Sequence, residues 1–311
     1  MKKMIYIITA CLVLFCCVQN ASAQYPFHED IYFTRDLVYE AGASVGMMNC
    51  FTDLGGNKGI GKKFVKDYNM GDSEIDASIY LNMLYKYAIG LRLEVTFGKV
   101  KADDKSLESV RQSTLGRYER NLSFRSKINE VALIAEIHPV FFKKYKYGNK
   151  LPRISPYLLG GIGFFKFNPQ AKLNDEWIDL QPLSTEGQGL KEYPDRKPYK
   201  LTQLVCPVGV GVKYKVSPVL NVSLECTSRI LFTDYLDDVS TFYIDPNIYN
   251  QYFSGTQLSN ALMLNDRQKE LNPSHNTNIG YERGNPKNND SYFTFNIRFA
   301  ALLWHNALNF R

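Results

Sequence analysis

Seven separate stretches of this chain alternate apolar and polar residues with a period of two, an eighth is apolar on both faces, and the connections between the eight alternate strictly between short and long. From Ile75, the residues Ile75, Ala77, Ile79, Leu81 and Met83 interleave with Asp76, Ser78, Tyr80 and Asn82; after Lys86-Tyr87 the pattern resumes as Ile89, Leu91, Leu93, Val95 and Phe97. Successive side chains of a strand point to opposite faces, so each stretch reads as a strand with one apolar face. The same period runs through Tyr39–Met47, Val131–Ile137, Leu204–Tyr214, Leu220–Cys226 and Phe293–Ala301, while Ile154–Phe167 is apolar on both faces and its phase is open. Short turns fall near 85–88, 140–153 and 217–218; long connections cover about 48–73, 101–124, 169–200 and 237–291. That rhythm predicts an all-β fold: an eight-stranded antiparallel up-and-down transmembrane β-barrel with long extracellular loops. Each strand has the roughly 10 residues that a tilted strand needs to cross the hydrocarbon.

The N-terminus supports export. Lys2 and Lys3 precede an apolar run from Met4 to Val18, and Ala21-Ser22-Ala23 supplies small residues for cleavage before Gln24. The domain reading is therefore 1–23 signal peptide, 24–36 N-terminal periplasmic segment, and 37–306 barrel with loop insertions at 169–200 and 237–291. A lipidated Cys16 or Cys17 is the alternative, but Leu14-Phe15 lacks the small residues such a site uses. Both barrel termini are expected in the periplasm. Cys50, Cys206 and Cys226 remain after cleavage, too few for a disulfide framework. Cys206 and Cys226 share the phase of neighbouring valines and leucines and read as small hydrophobes, with a bridge between them left open. A net charge of +6, with 37 basic residues dispersed among 31 acidic ones, gives no nucleic-acid surface.

Aromatic residues at strand ends, Tyr39, Tyr85, Phe97, Phe141, Phe142, Tyr157, Phe167, Tyr214, Phe232 and Trp304, are expected to form two interfacial girdles. The polar phase of the strands carries Glu40, Asp76, Arg92, Glu94, Glu130, Glu136, Glu225, Arg229 and Arg298. Eight strands enclose a lumen only wide enough for side chains. These opposed charges are therefore expected to pair inside and plug it.

TDYLDDVSTFYID, residues 233–245, follows the seventh strand and places four aspartates where apolar strand gives way to loop. Their spacing is not that of a calcium loop, so solvated turn and cap residues are expected. No metal or cofactor is called for; Asp234, Asp237 and Asp238 are the side chains placed to hold a divalent cation, one bridging lipopolysaccharide phosphates, if one binds. Nor is a catalytic constellation apparent: His28, His138 and His305 fall away from the outer loops, and His275 beside Ser274 has no evident partner. Within the last loop, Leu258, Ala261, Leu262, Leu264 and Leu271 approach helical spacing, predicting a short amphipathic helix over Thr256–Leu271 that rests on the barrel rim or docks a partner.

Two stretches, TDYLDDVSTFYID and YEAGASVGMMNCFTDLGGNKGIGKKF from Tyr39, resemble the DUF6089 family of eight-stranded outer-membrane barrels, a PorG-like group associated with type IX secretion. The resemblance follows the chain from about 37 to 304 and implies an outer-membrane protein connected on its periplasmic side to secretion-ring proteins. The insertions at 169–200 and 237–291 depart from a minimal member. The expected function is a non-enzymatic anchor or interaction platform in contact with outer-membrane lipid and lipopolysaccharide. A narrow channel or carrier for small solutes and an outer-leaflet lipid-modifying enzyme are the alternatives.

Overall fold

The computed structural model describes residues 36–56, 70–114, 116–145 and 151–303. The signal segment, most of the N-terminal segment, His28, Trp304 and His305 lie outside the described residues. Among the described residues ten strands form: β1 Leu37–Phe51, β2 Glu74–Tyr85, β3 Ile89–Asp103, β4 Ser123–Ile137, β5 Ile154–Lys166, β6 Pro169–Leu173, β7 Glu176–Asp179, β8 Thr202–Lys215, β9 Leu220–Leu231 and β10 Ser291–Leu303. Eight of them pair antiparallel in the order β3-β2-β1-β10-β9-β8-β5-β4, and β4 pairs back to β3. The ladder is thus closed and has no edge in the barrel wall, the condition for β-structure in lipid.

Local chemistry sets the tight turns. Lys86 and Tyr87 both take positive φ, 50° and 56°, and the Ala88 amide donates to the Tyr85 carbonyl at 3.0 Å. That is a two-residue type I′ turn, whose twist matches the flanking strands. On the wall, outward Ile79, Leu81, Leu93, Val131, Ile162, Phe164, Val210, Leu224, Phe295 and Ile297 are all exposed, forming an apolar belt around the barrel. Such a belt needs lipid rather than water outside it. Strands of 15 residues at β3 and β4 exceed what the hydrocarbon requires, so their ends rise into the loops.

Tyr39, Tyr85, Phe97, Phe142, Tyr214 and Phe232 face outward near the strand ends, whereas Tyr157 and Phe167 are buried inside and do not belong to a girdle. Tyr157 lies on the inward phase of β5 with Ser155 and Leu159, a phase invisible in a stretch apolar on both faces. Phe141 is half-buried, 5.7 Å from the Tyr87 ring. All three described cysteines are free thiols, and Cys206 and Cys226 pair across the ladder with Ile230 and Val210 rather than with each other.

The insertions are structured. β6 takes over from β5 beside β4, pairing Pro169 with Ser126 and Gln170 with Arg125, and folds back on β7. In the last loop, α1 (Tyr249–Tyr252), α2 (Gly255–Asn265) and α3 (Gln268–Leu271) replace one continuous helix, the break falling at Asp266-Arg267. Ala261 and Leu264 enter a cluster with Ala171, Leu180, Leu183, Ile244 and Tyr249, while Leu262 and Leu271 stay exposed. The helix therefore packs on the segment after β5, not on the barrel rim itself.

Candidate functional site: a filled lumen beneath a buried acidic cap

At the turn end of the barrel Val38, Leu84 and Leu302 pack together and close the lumen with apolar contacts. Above them Glu40 accepts from Lys213 Nζ at 2.9 Å and Asn221 Nδ2 at 2.6 Å. Glu136 accepts from Arg92 Nη1 at 2.5 Å and from Asn82 at 3.0 Å, and lies 3.3 Å from His138 Nε2. Arg92 occupies the centre: its two terminal nitrogens reach Glu225 at 2.9 and 3.1 Å, and Nε lies 3.1 Å from Glu94 without the alignment of a hydrogen bond. Arg298 joins Glu94 at 2.5 Å to Glu225 at 3.1 Å. Higher still, Asp76 accepts from Asn296 at 2.6 Å, and Glu130 accepts from Tyr292 Oη at 2.5 Å and Arg229 Nε at 3.3 Å. Arg229 also holds the Thr294 hydroxyl.

The structure thus brings Glu40, Arg92, Glu94, Glu130, Glu136, Glu225, Arg229 and Arg298 into the lumen, each no more than 3% exposed. Paired and hydrogen-bonded charges are the form in which ions tolerate such burial. Three further side chains enter the lumen: Lys213, Tyr80 of the polar phase of β2, and Tyr157, expected in a girdle. Lys213 shares the inward phase of β8 with Gly209 and Gly211, whose missing side chains conceal that phase as a polar face. Tyr80 and Tyr157 each fold over a cross-strand glycine, Gly42 and Gly211, where a Cβ would stand 2.3 Å from the ring. Only glycine permits that approach.

Above the ionic layer Met48, Val100, Ile128, Phe165, Phe167, Leu231 and Tyr292 form an apolar stopper that continues into Leu236 and Val239 of the loops. The aspartates after β9 sit on this stopper. They are not solvated: Asp237 and Asp238 are 0% exposed and Asp234 8%. Asp237 accepts from the amides of Val239 at 2.9 Å and Leu54 at 3.3 Å. Asp238, at φ 67°, turns the other way and accepts from Tyr199 Oη at 2.7 Å and Thr185 Oγ1 at 2.5 Å. Asp290 accepts from the Leu236 amide at 2.9 Å, and Asp53 from the Asn285 amide at 2.5 Å. Among the described residues neither oxygen of Asp234 meets a donor in hydrogen-bonding geometry, although the Ser240 side chain lies near enough to favour its charged form. Asp245 alone keeps the expected role, capping Pro246–Ile248 by accepting from the Asn247 amide at 2.9 Å.

Burial, with the neighbouring charges of Asp53 and Asp237, pushes the Asp234 carboxyl up to about 9. Burial likewise holds Asp237 and Asp290 well above the carboxylate range, each raised further by surrounding aspartates. Asp238 is raised by burial only to about 6, because Arg283, Thr185 and Tyr199 favour its charged form. Asp234, Asp237 and Asp238 do not converge on one point, and among the described residues no group of three such side chains is arranged to hold a metal ion. The sequence could not show this burial, which depends on loops closing over the segment.

Four loops close there. Glu186 accepts from the amides of Ser240 and Thr241 at 2.9 and 2.8 Å, and from Arg283 Nη1 at 3.0 Å. Arg283 donates onward to the Asp238 carbonyl at 2.7 Å. Arg120 grips Asp104 at 2.8 and 2.9 Å while donating to the carbonyls of Asp53 and Arg283, both at 2.7 Å. His275 faces Asp266 Oδ2 at 3.4 Å, and the neighbouring Ser274 amide donates to Asn272.

A closed eight-stranded transmembrane barrel with a charge-filled lumen and a folded loop cap defines the class. Residues 36–260 match the family model described as a domain of unknown function, DUF6089, and the chain belongs to that family. No curated protein matches the chain. Among solved structures, the chain is similar to Neisserial surface protein A at 8% identity, with 86% of this chain and 97% of that one covered and a TM-score of 0.35. Ail of Yersinia pestis, solved in complex with the heparin analogue sucrose octasulfate, matches at 8% identity over 85% and 99% of the chains, with a TM-score of 0.36. OprG from Pseudomonas aeruginosa matches at 10% identity over 86% and 95%, with a TM-score of 0.31. The closed ladder itself, rather than these distant matches, defines the barrel.

Proposed function

We propose that this protein is a non-enzymatic integral outer-membrane barrel that serves as an anchor and interaction platform, with its turn end and both barrel termini in the periplasm. The observation that carries this reading is the interior. Arg92 alone contacts three carboxylates across the lumen, and apolar layers lie both below and above it. A solute path would have to break those pairs, and a buried pair broken on one side costs about 3–5 kcal/mol. Family membership supports a finer reading: a PorG-like component of type IX secretion that meets periplasmic ring proteins through the turn end. Crosslinking in native membranes followed by purification of this protein tests it. Recovery of the ring proteins is the expected result; recovery of lipid and surface proteins alone would remove the secretion role. In planar bilayers the purified barrel should show no conductance above background, and stable single-channel steps would overturn the plugged lumen.

A further inference from the structure

Among the described strand residues of the barrel wall, outward-facing charge gathers at one place. On three adjacent strands the apolar residues stop at one level and cations follow: Lys99 and Lys101 above Phe97 on β3, Lys127 and Arg125 above Val131 on β4, and Lys166 above Phe164 on β5. Register makes them neighbours. Lys99 stands directly opposite Lys127, Lys101 opposite Arg125, and Lys166 opposite Asn129, which in turn faces Phe97. Like charges set directly opposite each other in a sheet destabilise it. Glu74 relieves part of this, contacting Lys99 at 2.8 Å and Lys101 at 2.7 Å. Lys127 and Lys166 are exposed.

Position and construction both point to a ligand. The apolar run from Ile89 to Phe97 rises roughly 20 Å for a strand tilted by about 40°, close to the height of the hydrocarbon band. The cations therefore lie at the headgroup level on the loop side. Arg125 is fixed there, its guanidinium 3.6 Å from the centroid of the Trp177 ring and its Nε donating to Gln170 at 3.1 Å. Trp177, half covered by the hairpin, is the residue type that settles at a membrane interface. On the other side of the barrel the matching outward residues, Met47, Ile230, Phe232 and Phe293, carry no charge. We infer that Lys99, Lys127 and Lys166, with Arg125 and Lys101 at their margin, form a binding site for the phosphate groups of the acylated glycolipid of the outer leaflet, lipopolysaccharide. The acyl chains lie along Phe97, Val131 and Phe164 below. This inference rests on the outer-membrane placement proposed above.

The test uses the full mature protein in neutral detergent micelles, titrated with lipid A carrying both phosphates, with the same glycolipid stripped of phosphate, and with inorganic phosphate as competitor. Phosphorylated lipid A is expected to bind, with affinity falling as salt rises. Lys99→Gln/Lys127→Gln/Lys166→Gln should weaken binding by at least about tenfold, and phosphate removal should do the same. Equal binding by the triple variant, or by the stripped glycolipid, would overturn the site. So would competition by inorganic phosphate at equimolar concentration, which would make it a free-anion site. Folding of the variant is checked by the shifted mobility of the unheated barrel in gels. Should it fail to fold, Lys127→Glu alone takes its place: weakened binding of phosphorylated lipid A supports the site, and unchanged binding overturns it. Membrane fractionation separates the two readings: a barrel that sediments with the outer membrane yet ignores lipid A phosphate loses this site and keeps its anchoring role.

Discussion

Arg283 donates to the Glu186 carboxylate at 3.0 Å, joining residues 97 positions apart in the loop cap, and both side chains are 2% exposed or less. Glu186 also receives the Ser240 and Thr241 amides, so one carboxylate organises the segment that buries Asp237 and Asp238. Glu186→Ala would leave the Ser240 and Thr241 amides without their acceptor and the Arg283 guanidinium without its carboxylate, held only by the carbonyls of Asp238 and Asn265. The loss is expected to be about 3–5 kcal/mol of local stability. Limited trypsin digestion in detergent should then cleave at Arg196, Arg267 or Arg283 while the unheated barrel keeps its compact gel mobility. Unchanged protease resistance would show that the cap is held by its apolar cluster instead.

Arg92 carries the equivalent role in the lumen. Arg92→Met would leave Glu94, Glu136 and Glu225 facing one another with Arg298 still reaching two of them. Removing one partner of a buried ionic network is expected to lower barrel stability by about 3–5 kcal/mol. Guanidinium unfolding in lipid vesicles measures it, and a midpoint within error of the parent would mean that the network contributes little.

Gly211 is a third point of leverage. The Tyr157 ring lies over it and donates its hydroxyl to Glu225 at 2.7 Å. Gly211→Val would displace the ring and unseat that hydrogen bond. Overpacking of this kind costs about 1–3 kcal/mol, readable as a lower thermal midpoint in detergent. Tyr157→Phe, which keeps the ring and removes only the hydroxyl bonded to Glu225, tests whether the hydrogen bond or the packing is responsible.

The barrel and its charged interior were legible because both follow from a single local rule, the two-residue alternation of strands. Glu40, Arg92, Glu94, Glu130, Glu136, Glu225, Arg229 and Arg298 all sit in the polar phase, and that phase points inward. The rule fails where a face carries no contrast. Tyr157 is hidden in a stretch apolar on both sides, and Lys213 follows inward glycines that carry no side chain to mark the face. The cap was illegible for a different reason. Whether Asp237 meets water depends on Leu54, Glu186 and Arg283, brought together from three separate loops, and no local spacing encodes that meeting.

The buried aspartates give the cap a pH dependence whose sign follows from their raised values. Asp234 is pushed up to about 9, and Asp237 and Asp290 are also raised, by burial first and by neighbouring carboxylates second, Asp53 foremost for Asp234 and Asp237 and Asp237 foremost for Asp290. Unfolded, each carboxyl would titrate near 4. Between roughly pH 4 and the raised values the folded cap binds more protons than the open one, so its stability is fully present below pH 4 and declines as pH rises through the folded values. Hydrogen exchange of the 233–245 amides should therefore be slower at pH 5.5 than at pH 8.5 once corrected for intrinsic rates. Asp234→Asn replaces the protonated carboxyl with a neutral group of the same shape. It should slow exchange at both pH values, more at pH 8.5 than at pH 5.5, and so shrink the difference between the two. Faster exchange at the lower pH in the parent protein would show that the aspartates are ionised in the folded cap and are balanced by cations.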